Sequence, residues 1–438
     1  MNSSRKIIPA LGLVIMIVAV ALWWFIPSQS LPARVGKNET VIKKETIEQH
    51  TSDSASLSPH NLQPQDAVDA FLAQHWKDPI SPQGKPPAHF SAHEASLAPE
   101  TCGQCHVQQY QDWQHSLHSK TMGPGILWQL RLMTQADGNQ CMKCHAPLAE
   151  QKALIAQAQG WPNAPQQKPP AYVPADLGHQ GLVCASCHVR KHQRFGPEPL
   201  KEMAAQLPHD GFTIAPAFED SRFCAACHQF PQDGPRTNNK LREDTYAQWQ
   251  QSAFAKNGQQ CQSCHMPDRK HQWKGIHDQR MVTNALSTQL TRDGNRIYVD
   301  IINSGAGHYF PTYMVPKVIV ELRYRAGNEK KFSVIATDTI GWNVDVSLAQ
   351  ELADTRIPSG AKRRISATLP ADFDSKGTID IYLTVKPREH YERTFLSVLD
   401  QRDKLDAETL TLLQAAYDEA VNTQYQFNLR TYSLTEEN

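Results

Sequence analysis

The chain has 438 residues, room for two or three domains, and its 44 basic side chains are balanced by 44 acidic ones. That balance excludes the one-sided positive charge on which nucleic-acid binding rests. Apolar residues make up 40% of the sequence, a modest share for a protein that would fill its core with its own side chains.

Arg5 and Lys6 precede an uncharged apolar run from Ile7 to Ile26 that ends in Trp23, Trp24 and Phe25. About 20 such residues span a bilayer, and paired Trp suit its interface. A cleaved signal has a shorter apolar core and a small-x-small site, which Ser28-Gln29-Ser30 matches poorly. Residues 1–27 therefore read as an uncleaved single-pass anchor in the cytoplasmic membrane. Its basic end is inside and the bulk of the chain is in the periplasm. Residues 28–65 are polar and patternless, a flexible tether.

A helix is predicted from Asp66, as cap, to Trp76, followed by an extended Pro-rich stretch in which His89 and His93 read as solvated. The string Cys-x-x-Cys-His then occurs five times: Cys102, Cys105, His106; Cys141, Cys144, His145; Cys184, Cys187, His188; Cys224, Cys227, His228; Cys261, Cys264, His265. The chemistry that wants this string is covalent haem attachment. Two thiols one turn apart add to the haem vinyl groups, and the adjacent imidazole reaches the iron as proximal ligand. Zinc ribbons need knuckles in pairs and no trailing His, and a disulfide scaffold does not suit cysteines confined to one stretch of a long chain. The expected cofactors are five haem c groups, which also demand an extracytoplasmic address.

Between the first two motifs Tyr110, Trp113, Ser116 and His118 lie near helical spacing. Between the fourth and fifth, Tyr246, Trp249 and Ser252 repeat the pattern, with Phe254 where His118 stood. This is an internal duplication, and it marks His118 as an iron ligand that its counterpart lacks. His179 and His192 flank the third motif, and His271 and His277 follow the fifth with Gly275 between them. All four are candidate distal ligands.

From residue 283 the texture changes to alternating or β-branched runs broken by turn residues, without cysteine. The expected fold is therefore multidomain. A mainly helical, loop-rich region packed around haems spans 66–282, and a small β-sandwich with a C-terminal helix (Asp403–Ala420) and a final strand spans 283–438. In the loop Asn303–Thr312, Gly305 and Gly307 would let the backbone lie against a haem and present His308 to iron.

Pro99–Met281, through CGQCHVQQYQDWQHSLHS, GLVCASCHVR, FCAACHQF and CQSCHMPDRKHQW, resembles multihaem cytochromes of the cytochrome c-554 and hydroxylamine oxidoreductase group. The loop NSGAGHYFPT is similar to one in β-domains attached to such cytochromes. The resemblance implies closely packed haems in pairs, mostly with two axial histidines, and electron transfer. Some relatives keep one iron five-coordinate and act on small nitrogen or sulfur compounds. The pentahaem nitrite reductase replaces one proximal His by Lys, whereas all five motifs here end in His.

Six candidates (His118, His179, His192, His271, His277, His308) for five distal positions permit a fully ligated set. That set describes an electron carrier between a membrane quinol oxidoreductase or soluble periplasmic carrier and a redox partner, with no catalytic residue. The alternative is an oxidoreductase acting on a small nitrogen or sulfur compound at one five-coordinate haem, with His115, Lys120, Arg190 or Lys191 as proton donor. A third role gives the β-region to docking a partner.

Overall fold

The computed structural model describes residues 64–200, 208–327 and 329–435. The predicted anchor and the tether up to residue 63 lie outside them. Among the described residues no helix is long and apolar enough to cross a membrane.

The N-terminal part is a chain of short helices and turns. A helix over Pro64–His75 leads into non-helical chain. Four of the five cysteine motifs close a helix on their own histidine: Gln135–His145, Cys184–His188, Arg222–His228 and Cys261–His265. Helical geometry puts cysteines three residues apart on one face, as two thioether bonds to one ring require. The first motif differs: Cys102 lies in the helix Pro99–Gly103, and His106 is the residue before α1 (Val107–Gln114).

The two halves of the duplication match in detail. Trp113 of α1 donates its indole N–H to Leu182 O (2.6 Å), and Ser116 Oγ donates to Trp113 O (2.7 Å). In α3 (Thr245–Gln250), Trp249 donates to Gln259 O (3.0 Å) and Ser252 Oγ to Trp249 O (2.7 Å). Tyr110 and Tyr246 sit 5.9 and 5.4 Å from their Trp partners and accept from Gln114 and Gln250. An indole N–H that leaves water needs a hydrogen-bond partner, and buried Trp113 and half-buried Trp249 each find it in a backbone carbonyl ahead of a haem motif.

The β-region begins at Leu286. Its strands are β1 (Leu286–Asp293), β2 (Arg296–Asn303), β3 (Lys317–Arg325), β4 (Ser333–Val344), β5 (Glu351–Asp354), β6 (Lys362–Thr368), β7 (Thr378–Lys386) and β8 (Tyr425–Ser433). They form two antiparallel sheets, ordered β5-β4-β3-β7-β8 and β6-β2-β1. Period-two alternation turns Ile297, Val299 and Ile301 of one sheet and Val318, Val320, Leu322, Ile379, Ile381 and Leu383 of the other into a common core, each fully buried.

The C-terminal helical segment departs from expectation. Instead of one helix over 403–420 there are two, α4 (Glu389–Leu399) and α5 (Ala407–Asn422), the latter capped by Asp406, which accepts from Glu408 N and Thr409 N. They pack on α2 (Pro124–Leu130) of the haem region: Trp128, Phe395, Val398, Leu413, Ala416 and Ala420 form one buried cluster. Arg131 reinforces it with ion pairs to Asp406 (3.1 Å) and Glu408 (2.8 Å). Burying Trp128 there is worth about 3–5 kcal/mol. The C-terminal helices thus clamp the haem region, and α4 also joins the sandwich, His390 N donating to Val315 O (3.1 Å).

Candidate haem centres

The motif imidazoles are fixed by backbone carbonyls. His145 Nδ1 bonds Thr121 O (2.7 Å), His188 Nδ1 bonds Phe195 O (2.8 Å) and His265 Nδ1 bonds Lys274 O (2.7 Å). A carbonyl on Nδ1 sets the tautomer and leaves Nε2 unprotonated toward a metal. Burial pushes His188 down to about 4 and lowers His145 and His265, so the neutral, metal-binding form prevails.

Three motif histidines face a second imidazole. His265 and His308 have ring centres 6.2 Å apart with planes 16° from parallel, His188 and His271 are 6.1 Å apart at 36°, and His228 and His118 are 6.4 Å apart at 44°. Two imidazoles on opposite faces of one iron, at roughly 2 Å per metal–nitrogen bond, have ring centres about 6 Å apart. The second histidines repeat the carbonyl pattern: His271 Nδ1 bonds Arg269 O (2.9 Å) and His308 Nδ1 bonds Tyr309 O (2.8 Å). Burial holds His118 down to about 3 and His308 to about 4. His118, His271 and His308 are half-buried. The residues present fit haem on the geometry of both faces.

The loop that carries His308 is built for close approach. A Cβ on Gly305 would stand 1.9 Å from Asn284 O, and one on Gly307 3.1 Å from Trp249 and 3.3 Å from Phe254. The glycines therefore allow the loop to approach the protein chain at Asn284, Trp249 and Phe254. Fully buried Asn303 ties the loop internally through His308 O (2.8 Å) and Ile357 O (2.9 Å). Gln248 of α3 holds it from outside, accepting from Tyr309 N (3.0 Å) and Thr312 Oγ1 (3.1 Å). Phe254, where His118 stands in the first copy, is thus the surface on which the β-region brings in its own histidine.

Three sequence candidates lie elsewhere. His192 is buried, its Nε2 bonds Gly84 O (3.1 Å) and its ring meets Tyr172 edge-on at 4.7 Å, a packing role. His179 is exposed on a turn. His277 Nε2 is buried without a partner, and its ring lacks the Nδ1–carbonyl bond of His271 and His308. Among the suggested donors, Arg190 is consumed by four carbonyls around His75 and the third motif, and Lys120 and Lys191 are exposed. His115 bonds Gln111 O (2.7 Å) at the surface.

Sequence reasoning missed His209. It lies within electrostatic range of His106, its Nδ1 bonds Gly211 O (2.9 Å), and its backbone N–H donates to Glu94 Oε1 (3.0 Å). The turn Pro208-His209-Asp210-Gly211, with His209 at φ 49°, was the available signal. His75 was missed too; its Nε2 bonds Cys187 O (2.8 Å) beside the third motif.

The motifs also lie near one another. Thiols lie in electrostatic range of one another in the pairs Cys102–Cys184, Cys144–Cys227 and Cys224–Cys261, as Cys187 does of Cys224 and Cys227. This links motifs one–three–four–five, with motif two joined at four.

Repeated thiol pairs with trailing imidazoles, three of them opposed by a second imidazole, define a multihaem c-type cytochrome. Residues 101–162 match the family described as cytochrome c554 and c-prime. A penta-haem cytochrome c552 from Thermochromatium tepidum is similar in structure, with 18% identity and a TM-score of 0.49, over 78% of this chain and 98% of that one. No curated protein matches the chain.

Proposed function

We propose that the chain is a periplasmic pentahaem electron-transfer protein, tethered to the cytoplasmic membrane by its N-terminus. The observation that carries this reading is the set of three imidazole pairs at 6.1–6.4 Å. In it His308, His118 and His271 are the distal ligands opposite His265, His228 and His188, and His209 serves His106. Haem iron held by two neutral imidazoles supplies one-electron exchange with little change in its ligand shell. The residues keep the imidazoles neutral, hold both faces rigidly and bring neighbouring attachment sites close together.

The proximity of the motif thiols suggests a relay ordered one–three–four–five with a branch from four to two. The two ends of the line, the first and the fifth motif, are assigned as the points of exchange with redox partners. A membrane quinol oxidoreductase or a soluble periplasmic carrier is the class of partner such a tethered relay serves.

Pyridine haemochromogen assay and intact mass of the purified holoprotein test the reading, with five haems per chain expected. Fewer than five would remove it. Membrane fractionation with and without residues 1–27 tests the tether, and release of the shortened chain is the expected result.

A further inference from the structure

We propose that the buried residue just before the tryptophan of each repeat anchors a distal histidine contributed from elsewhere in the chain, and that its charge sets the reduction potential of that centre. Asp112 is this positioning residue for the third centre, and neutral Gln248 is its counterpart for the fifth. The assignment rests on the ligation proposed above, with His271 and His308 opposite His188 and His265, and deepens it.

Asp112 precedes Trp113 in α1 as Gln248 precedes Trp249 in α3, and both side chains are buried. In the first copy Asp112 Oδ2 accepts from the backbone N–H of His271 (3.1 Å), and Oδ1 accepts from the side chain of the next residue, Gln272 (2.9 Å). In the second copy Gln248 Oε1 accepts from the backbone N–H of Tyr309 (3.0 Å), the residue after His308, and from Thr312 Oγ1 (3.1 Å). Its Nε2 donates back to Thr312 O (3.3 Å). The partners are 159 and 61 residues away in sequence, yet the target is alike. Each is the main chain beside an imidazole that faces a motif histidine, 6.1 Å from His188 in one case and 6.2 Å from His265 in the other. Neither bond serves its own helix, so the folding of α1 and α3 alone calls for no polar side chain at this position.

The segment held by Asp112 needs holding. His271 faces His188, Trp273 lies 4.5 Å from the His118 ring, and Lys274 O bonds His265 Nδ1 (2.7 Å), so four residues meet three centres. Asp268, Arg269 and Trp273 have φ of 55°, 57° and 42°. Such left-handed backbone is adopted by these side chains only where neighbours fix it. Asp112, bonded to two consecutive residues between Arg269 and Trp273, is such a neighbour.

The two anchors differ in charge. Asp112 accepts from Gln108 (3.2 Å) as well as from Gln272 and His271, and all three donors are neutral groups. Two oxygens that only accept are those of an ionised carboxylate, and neutral donors leave its charge uncompensated. In a low-dielectric interior that negative charge stabilises oxidised iron, which carries one more positive charge than reduced iron. Asp112 therefore lowers the potential of the third centre. Gln248 makes the equivalent anchoring bonds and leaves the fifth centre unshifted.

The test is a mediated potentiometric titration of the full-length holoprotein, each low-spin ferric signal being followed by electron paramagnetic resonance. His271→Ala and His308→Ala identify the third and fifth signals by their loss. Asp112→Asn keeps the shape of the anchor, and the Gln108 and Gln272 amides can turn their oxygens to its new N–H. The third signal should persist while its reduction equilibrium moves roughly tenfold toward the reduced form, about 59 mV upward. Gln248→Glu should move the fifth centre in the opposite direction. A merely loosened fold would not give opposite signs at these two centres. An intact third signal with an unmoved potential in Asp112→Asn overturns the proposal, and so do shifts of one sign in both variants. If Asp112→Asn does not fold, Gln248→Glu decides alone, an unmoved fifth potential being enough to overturn the proposal. The ligand reading fails separately: every signal would then survive His271→Ala and His308→Ala.

Discussion

His308, on a loop of the β-region, faces His265 across 6.2 Å with the two rings nearly parallel, although the two residues belong to different parts of the fold. Under the proposed ligation the fifth centre is completed by the sandwich. His308→Ala should remove one low-spin signal while the five covalent attachments persist. Gly305→Ala should do the same indirectly, because its Cβ would collide with Asn284 O at 1.9 Å and displace the loop, at about 1–3 kcal/mol of stability. Electron paramagnetic resonance and thermal unfolding of both variants check this; an unchanged spectrum in His308→Ala would show that the loop only packs.

Trp273 touches two centres at once. Its ring lies 4.5 Å from His118 and 5.1 Å from His271, edge-on to both. Trp273→Ala should loosen both imidazoles and shift two low-spin signals together, whereas His118→Ala should eliminate one. A shift confined to a single centre would count against shared positioning.

How far the site was legible follows from where each ligand sits. The motif cysteines and histidines are local strings, so sequence alone identifies them. His118 stood out because a helix repeat marks it, and His308 because Gly305 and Gly307 precede it. His209 was not, because His106, in whose electrostatic range it lies, is far along the chain, and nothing in Pro208-His209-Asp210-Gly211 announces that proximity. His192 misled for the opposite reason: proximity to a motif in sequence put it in an apolar core. In the fold, period-two strands were evident, but α4 was overlooked although Tyr391, Phe395 and Val398 recur at helical spacing on buried ground. Its purpose, clamping α2, is a long-range contact that no local pattern encodes.

His209 supplies the sharpest contrast among single substitutions. His209→Ala should abolish the low-spin signal of the first centre. His179→Ala, at an exposed turn, should leave every signal in place. His192→Ala should also leave them, while lowering stability by about 2–3 kcal/mol through the cavity beside Tyr172. Spectra and unfolding curves of the three variants separate ligand from packing residue; a retained first signal in His209→Ala would require another ligand for His106.

The sandwich should report acid through Asp300. Its buried carboxylate accepts from Arg364 (2.7 and 2.9 Å), directly opposite on β6, and from Lys362 (2.6 Å), and the Arg364 hydrogen bonds lead in holding its pKa down to about 2. A carboxylate depressed in the folded state contributes stability that is complete above its unfolded pKa, about 4, and lost as pH falls toward 2. Both cationic partners are about half exposed, so screening limits the contribution to about 1 kcal/mol. Asp300→Asn should lose that increment at pH 7 and show a flatter stability profile between pH 4 and pH 2. Thermal unfolding across that window is the measurement, and parallel profiles for the two proteins would exclude Asp300 as the titrating group.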